Sequence, residues 1–225
     1  MTERIGILGT GMVGRAHAAK LADLGKDVTV GTRDVAATMA TTGTRNMPFK
    51  EWHAANPRVQ VGTFAQAAAD ADIVISALNG GVAVETLRSV EAQLRGKVLI
   101  DISNPLDFSM GMPPTLSVCN DDSLGEQVQR ALPDTRVVKS LNTLNVIVQV
   151  DPNSLAGGDH HIFLSGNDAA AKGQVARSLE DWYGWTNIID LGDITTARGT
   201  EMMMPVWLRL MASLGTPAFN FKIVR

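Results

Sequence analysis

From Arg4 to about residue 140 the chain alternates short β-branched runs with alanine-rich stretches whose apolar positions recur at helical spacing. The runs predict strands at Ile5 to Leu8, Val28 to Gly31, Asp72 to Ala77, Val98 to Ile102 and Val137 to Leu141. Their near-continuous apolar character suits strands covered on both faces. Between them the periodicity predicts helices over Met12 to Leu24, Val35 to Met39, Phe64 to Ala69, Val82 to Leu94 and Ser123 to Ala131, with Asp34 placed to cap the second of these. This is the pattern of βαβ units on a parallel, doubly wound α/β sheet.

Beyond Leu141 the pattern continues on a smaller scale. A strand is expected near His161 to Ser165, a helix near Ala169 to Trp182, a strand at Ile188 to Leu191 and a last helix near Thr196 to Ser213. We therefore expect two units, residues 1–141 and a small α/β lobe over residues 142–225 that packs on the sheet edge and a cleft. The polar turn from Asp151 to His161 softens the boundary. The loop from Ser103 to Asp122 carries no evident secondary structure, and loops of that length are often lids or binding loops.

Composition narrows the partners. A length of 225 residues allows one large domain, or a domain of about 150 residues with a smaller appendage. Twenty basic against 23 acidic side chains give a formal charge of −3, with no Lys/Arg run to follow a nucleic-acid backbone or an anionic membrane. Cys119 is the single cysteine, so no intrachain disulfide forms and the cytoplasm is the expected compartment. No apolar run approaches the ~20 residues of a membrane helix, and the start of the chain leaves no room for a signal peptide.

The chemistry begins at GTGMVG. Gly9, Thr10, Gly11, Met12, Val13 and Gly14 follow the first strand and open the first helix, the Rossmann-type context in which a glycine fingerprint binds a dinucleotide. Gly9 permits the turn, Gly11 the approach of a pyrophosphate, and Gly14 close helix packing; the helix N-terminus supplies amide donors. At the end of the second strand, where an NAD site offers an acid to the ribose, the sequence reads VGTRD. Thr32 can donate to a 2′-phosphate and Arg33 can pair with it, so NADP(H) is expected over NAD(H). The alternative has Arg33 in solvent and Asp34 on the ribose.

Ligands of this fold lie beyond the carboxyl ends of the strands. Ser76, Ala77, Leu78 and Asn79 after the fourth strand are therefore assigned to the cofactor, with Asn104 and Pro105 nearest the nicotinamide. Asn142, Asn145 and Trp207 are assigned to the substrate. Met202, Met203, Met204, Leu210 and Met211 crowd the last helix with Trp207, as in a core, a dimer interface or a ring-binding wall. No acid–base pair or metal site stands out: His17, His53, His160 and His161 read as structural or surface residues. Lys139 is the one candidate proton donor, although an exposed position on an outer strand is preferred for it.

GTGMVGRA, VGTRD, DISNPL, VVKSLNT and LGDITTARGTEMMMPVWLRLM together resemble the NADP-dependent oxidoreductases related to deazaflavin (coenzyme F-420):NADP oxidoreductase, over almost the whole chain. VVKSLNT also resembles the cytosolic NADPH domains of six-transmembrane metalloreductases. The resemblance implies hydride exchange between nicotinamide and a stacked deazaflavin or flavin, which needs no side-chain acid or base; separately, the small C-terminal lobe rich in Met and Trp suggests a homodimer. Asn79, Gly80 and Gly81 depart from the bulkier or ionisable residues the resemblance implies there. Two other readings stand beside it: a small-molecule dehydrogenase or imine reductase using Lys139, and a non-enzymatic NADP sensor.

Overall fold

The computed structural model describes residues 2–42 and 47–225. In chain order the first unit runs β1 (Arg4–Leu8), α1 (Met12–Asp23), β2 (Asp27–Thr32), α2 (Val35–Ala40), α3 (Phe49–Ala55), β3 (Gln60–Thr63) and α4 (Phe64–Asp70). It continues with β4 (Ile73–Ser76), α5 (Gly80–Arg88), α6 (Glu91–Leu94) and β5 (Val98–Asp101). A small ribbon of β6 (Leu106–Asp107) and β7 (Thr115–Leu116) precedes α7 (Leu124–Ala131) and β8 (Arg136–Lys139). Six strands form one parallel sheet in the order β3-β2-β1-β4-β5-β8, the Rossmann-type α/β arrangement.

The chain moves outward from β1 to β3, then crosses back to lay β4 on the other side of β1. That reversal opens a crevice at the carboxyl edge between β1 and β4, where this topology binds ligands. Alternating side chains give the sheet two apolar faces. Ile5, Ile7, Ile73, Ile75, Ile100 and Val138 share one core with Ala18 and Leu21 of α1, and Leu8, Val74, Leu99 and Val137 share the other with Ala67, Leu87 and Val128. Each such aliphatic side chain contributes roughly 1.5–3 kcal/mol by burial.

The remaining elements are α8 (Val146–Val150), β9 (Ile162–Leu164), α9 (Ala169–Tyr183), β10 (Ile188–Asp190), α10 (Ala197–Met202) and α11 (Met204–Leu214). β9 and β10 pair in parallel, and an antiparallel bridge between Lys139 and Ser165 joins them to β8. The main-chain N–H of Lys139 donates to Ser165 O at 2.8 Å and that of Ser165 donates back at 3.1 Å, so the outer strand is covered. Leu164, Val175, Leu179 and Trp182 of this region lie in the same core as Ile5 and Ile75 of the sheet.

Several expectations need correction. β3 gives no strand pattern in the sequence, because QVGT carries a single strongly apolar residue. The helix expected over Val82 to Leu94 starts earlier, where Asn79 accepts from Gly81 N–H, and is broken into α5 and α6 around Ser89 and Val90. The long last helix divides into α10 and α11 because Pro205 lacks the N–H a continuous helix would use, and sits instead in the first turn of α11. The Ser103 to Asp122 loop holds the β6–β7 ribbon, and α3 and α8 were not foreseen.

Candidate active site

The glycine loop sits on the carboxyl edge between β1 and α1. Gly9 has φ +126°, and a Cβ there would lie 2.5 Å from the Ala77 carbonyl oxygen. A Cβ at Gly14 would lie 2.1 Å from Gly9 O, which is why the helix can approach its own turn only with glycine. Gly11 differs: a Cβ there would meet nothing within 4 Å, leaving its backbone open on the crevice side. No side chain caps α1, so its first-turn amides are available to an anion.

A groove of about 490 Å³ runs from this loop to the end of β2, lined by Gly9, Thr10, Gly11, Thr32, Arg33 and Asn79 among others. Ala77 and Leu78 also line it, while Met12 is 59% exposed in the first turn of α1 and Val13 packs inward on the core. Thr32 is buried, and its hydroxyl shares a 2.6 Å hydrogen bond with that of Thr38. Arg33 is exposed and makes no ion pair among the described residues. The Asp34 carboxylate accepts from Ala37 N–H at 2.9 Å and so caps α2 instead of turning into the groove.

Three contributors escaped the sequence reading. Thr38 and Thr41 stand three apart on the α2 segment VAATMATT, a spacing that puts both on one face, and Phe64 follows β3. Arg15 also acts here: its Nε donates to Thr10 O at 2.8 Å and its guanidinium lies 5.2 Å from the Phe49 ring centroid. It braces the loop from below.

Further along the edge, the loops after β5 and β8 meet. Asn104 Nδ2 donates to Asn142 O at 2.7 Å, and Asn142 Nδ2 donates to Asn104 Oδ1 at 3.0 Å. A Cβ at Gly80 would lie 2.0 Å from Asn104 O, so this glycine lets α5 start directly against that turn. Pro105 accepts from Ser117 N–H at 2.8 Å, and Ser76 is buried with its hydroxyl unpartnered. Asn145 accepts from Ile147 N–H as the cap of α8. Trp207, expected at the substrate, is 8% exposed, stacks on Phe219 and packs with Leu106 and Leu116.

Lys139 stands on the outer strand β8 as expected, but the exposure expected for it is overturned, because the side chain is only 1% exposed. Its Nζ lies 2.9 Å from Asp101 Oδ2 and 2.9 Å from Glu201 Oε1, and donates to Ser103 O. Burial works against the charged form, but the two carboxylates outweigh it and hold the pKa above the usual lysine range. Glu201 of α10 also accepts from Leu124 N–H and Gly125 N–H at 2.8 and 2.9 Å, capping α7. Arg198 pairs with Glu126 one turn away, and this holds the Glu126 carboxyl below its usual range.

The histidines lie elsewhere. His17 is fully buried between Tyr183 Oη at 2.7 Å and Gln149 Oε1 at 2.9 Å, and burial pushes its pKa down to about 4. His53 contacts Val59 O, while His160 contacts Pro152 O and Asn220. His161 accepts from Ile223 N–H. No cluster of three or more metal-ligating side chains occurs among the described residues.

The family model for coenzyme F420-dependent NADP oxidoreductases matches residues 4–105. A crystal structure from Arthrobacter sp. FB24, provisionally described as an F420-dependent NADP-reductase, is 54% identical, covers 98% of this chain and 99% of its own, and superposes with a TM-score of 0.94. The F420-dependent NADP reductase of Methanothermobacter marburgensis is 29% identical over 217 residues, 92% of each chain. The metalloreductase STEAP3 of Rattus norvegicus is 27% identical over 218 residues, 95% of this chain and 38% of that protein.

Proposed function

The chain belongs to the F420-dependent NADP oxidoreductases, and from that premise we propose that it exchanges a hydride between NADP(H) and a deazaflavin, or a flavin-like ring, held face to face in the crevice. It is an NADP-dependent oxidoreductase; the identity of the second ring and the manner of transfer are our reading. The observation that carries the reading is the groove itself: an uncapped helix start and an open Gly11 at one end, a guanidinium without an ion pair among the described residues at the other, and the acid of that corner turned away.

The residues present fit the cofactor. The amides of Gly11, Met12 and Val13 would hold the pyrophosphate, and Thr32, Thr38 and Arg33 the 2′-phosphate, a charge-assisted contact that a nearby carboxylate would oppose. Ala77, Leu78 and Asn79 would support the ribose, and the linked Asn104 and Asn142 the nicotinamide end. When bound, the nicotinamide would supply or accept the hydride and the second ring would take the opposite part. The protein's part is to orient two rings and exclude water, and orientation of this kind contributes roughly 7–11 kcal/mol to such reactions. Lys139 is not required as an acid, in keeping with its three engaged hydrogen-bond directions.

The test follows NADPH oxidation by absorbance with purified deazaflavin or free flavin as acceptor. Turnover with the deazaflavin is expected; none with either acceptor would remove the proposal. We also propose a homodimer. Met202, Val206, Leu210 and Leu214 repeat every four residues along α10 and α11 and are 36–56% exposed, an apolar stripe of the kind that pairs subunits. Light scattering should give twice the chain mass, and Val206→Glu should halve it.

A further inference from the structure

A buried ammonium shared by two buried carboxylates is a poor way to gain stability. Desolvating three ions costs several kcal/mol each, and apolar side chains of the same volume often do as well or better. The arrangement has a more specific consequence here, because its members come from different segments. Asp101 ends β5, Lys139 ends β8, Glu201 belongs to α10, and the third Nζ bond reaches Ser103 O, one residue before Asn104. Ser76, Asp101 and Lys139 stand side by side in the sheet register. Asp101 also accepts from the N–H and hydroxyl of Ser103 through Oδ1, so the N–H, hydroxyl and carbonyl of Ser103, the residue that opens that turn, are all tied to one point.

We propose that Lys139 is a positioning residue: with Asp101 and Glu201 it pins the Ser103–Pro105 turn and the lobe helix α10 to the same spot, and so sets the Asn104–Asn142 pair and the lobe at a fixed distance from the glycine loop. The inference rests on the proposed hydride transfer for its kinetic consequence, but the pinning itself does not. One reacting ring would be held by the glycine-loop side and the other against the lobe side, and this is where the two sides join. Lys139 touches neither ring in this scheme. Its three directions are filled by Asp101, Ser103 and Glu201, whose other polar partners are Leu124 and Gly125 N–H.

The experiment separates pinning from charge balance. Lys139→Met alone leaves two buried carboxylates without a counter-charge, held only by their bonds from Ser103 and from the Leu124 and Gly125 N–H groups. The triple variant Lys139→Met, Asp101→Asn, Glu201→Gln removes that imbalance while still lacking the bond to Ser103 O. The triple should recover most of the melting temperature and bind NADPH within twofold of wild type. Its kcat with the deazaflavin should stay at least tenfold low. Return of kcat along with stability would overturn the proposal, as would a kcat limb in the wild-type pH profile that vanishes with Lys139.

Amide exchange decides the matter without turnover. Exchange should quicken over residues 102–106 and in α10, with residues 9–14 unchanged; uniform or unchanged exchange would overturn the pinning. If the wild type transfers no hydride to either ring, the proposed function fails while this readout still stands. If the triple variant does not fold, Glu201→Gln serves, since it leaves a neutral Lys139–Asp101 pair. Faster exchange limited to α10 and the adjoining turn is then expected, and no change sinks the idea.

Discussion

The two ends of the sheet's carboxyl edge treat polar groups in opposite ways. Around β1 and β2 the chain leaves them open: the α1 start has no side-chain cap, Gly11 faces empty space and Arg33 is exposed. Around β5 and β8 it saturates them, with Asp101, Lys139 and Glu201 all below 2% exposed and both carboxylates bonded to Lys139. The first condition suits groups awaiting a ligand, since unused donors near water cost little. The second suits groups that hold other parts still, because a buried charge without partners costs far more.

The largest expected effect comes from breaking the saturated end. Lys139→Met strands two carboxylates in the core and should cost roughly 3–5 kcal/mol, read by denaturant unfolding with an unchanged m-value. A loss below about 1 kcal/mol would mean that water reaches the cluster and that the contrast is false. A comparable effect is expected at His17, which ties α1 to α8 and α9 far from the groove. Its pKa is lowered to about 4 in the folded protein against 6.5 unfolded, so the unfolded chain takes up the proton first. Its contribution is complete above about pH 6.5 and is lost as the pH falls toward 4, amounting to about 3 kcal/mol. His17→Gln should flatten that part of the stability profile.

The open end responds in binding instead of stability. Arg33→Ala should weaken NADP(H) by roughly tenfold to a hundredfold, the scale of a charge-assisted contact, while NAD(H) affinity and melting temperature stay put. Equal weakening of both nucleotides would show that Arg33 does not read the 2′-phosphate, and would leave Thr32 and Thr38 to do so.

This division also explains what could be read in the sequence. The glycine loop was legible because its constraints are local: a positive φ at Gly9 and two close approaches dictate residue type within six positions. The apolar strands β1, β4, β5 and β8 were legible for the same reason, each being a short run buried on both faces. The Lys139 cluster was not, because its partners stand 38 and 62 positions away along the chain and no periodicity links them. A lysine closing an apolar strand reads as an edge residue until β9 is seen to cover β8. Trp207 and Asn145, which the sequence assigns to the substrate, are engaged in packing and in capping α8 in the structure, contacts that no local pattern announces.

The smallest effect sharpens the comparison most, because it concerns the one acid of the open corner. Asp34 follows Arg33 directly, and spacing alone would let its carboxylate reach a ribose. In the structure that carboxylate is bound to Ala37 N–H at the start of α2, the helix that carries Thr38 into the groove. Asp34→Asn keeps an acceptor there and should change neither stability nor nucleotide preference. Asp34→Ala removes it and should cost ~1 kcal/mol, the usual value of a helix N-cap, with any loss of affinity falling on NADP(H) through a loosened Thr38. Titration of both variants with NADPH and NADH separates the possibilities. A selective loss of NADH binding in Asp34→Ala would mean that the acid serves the ribose, and that this corner resembles an NAD site with an arginine beside it.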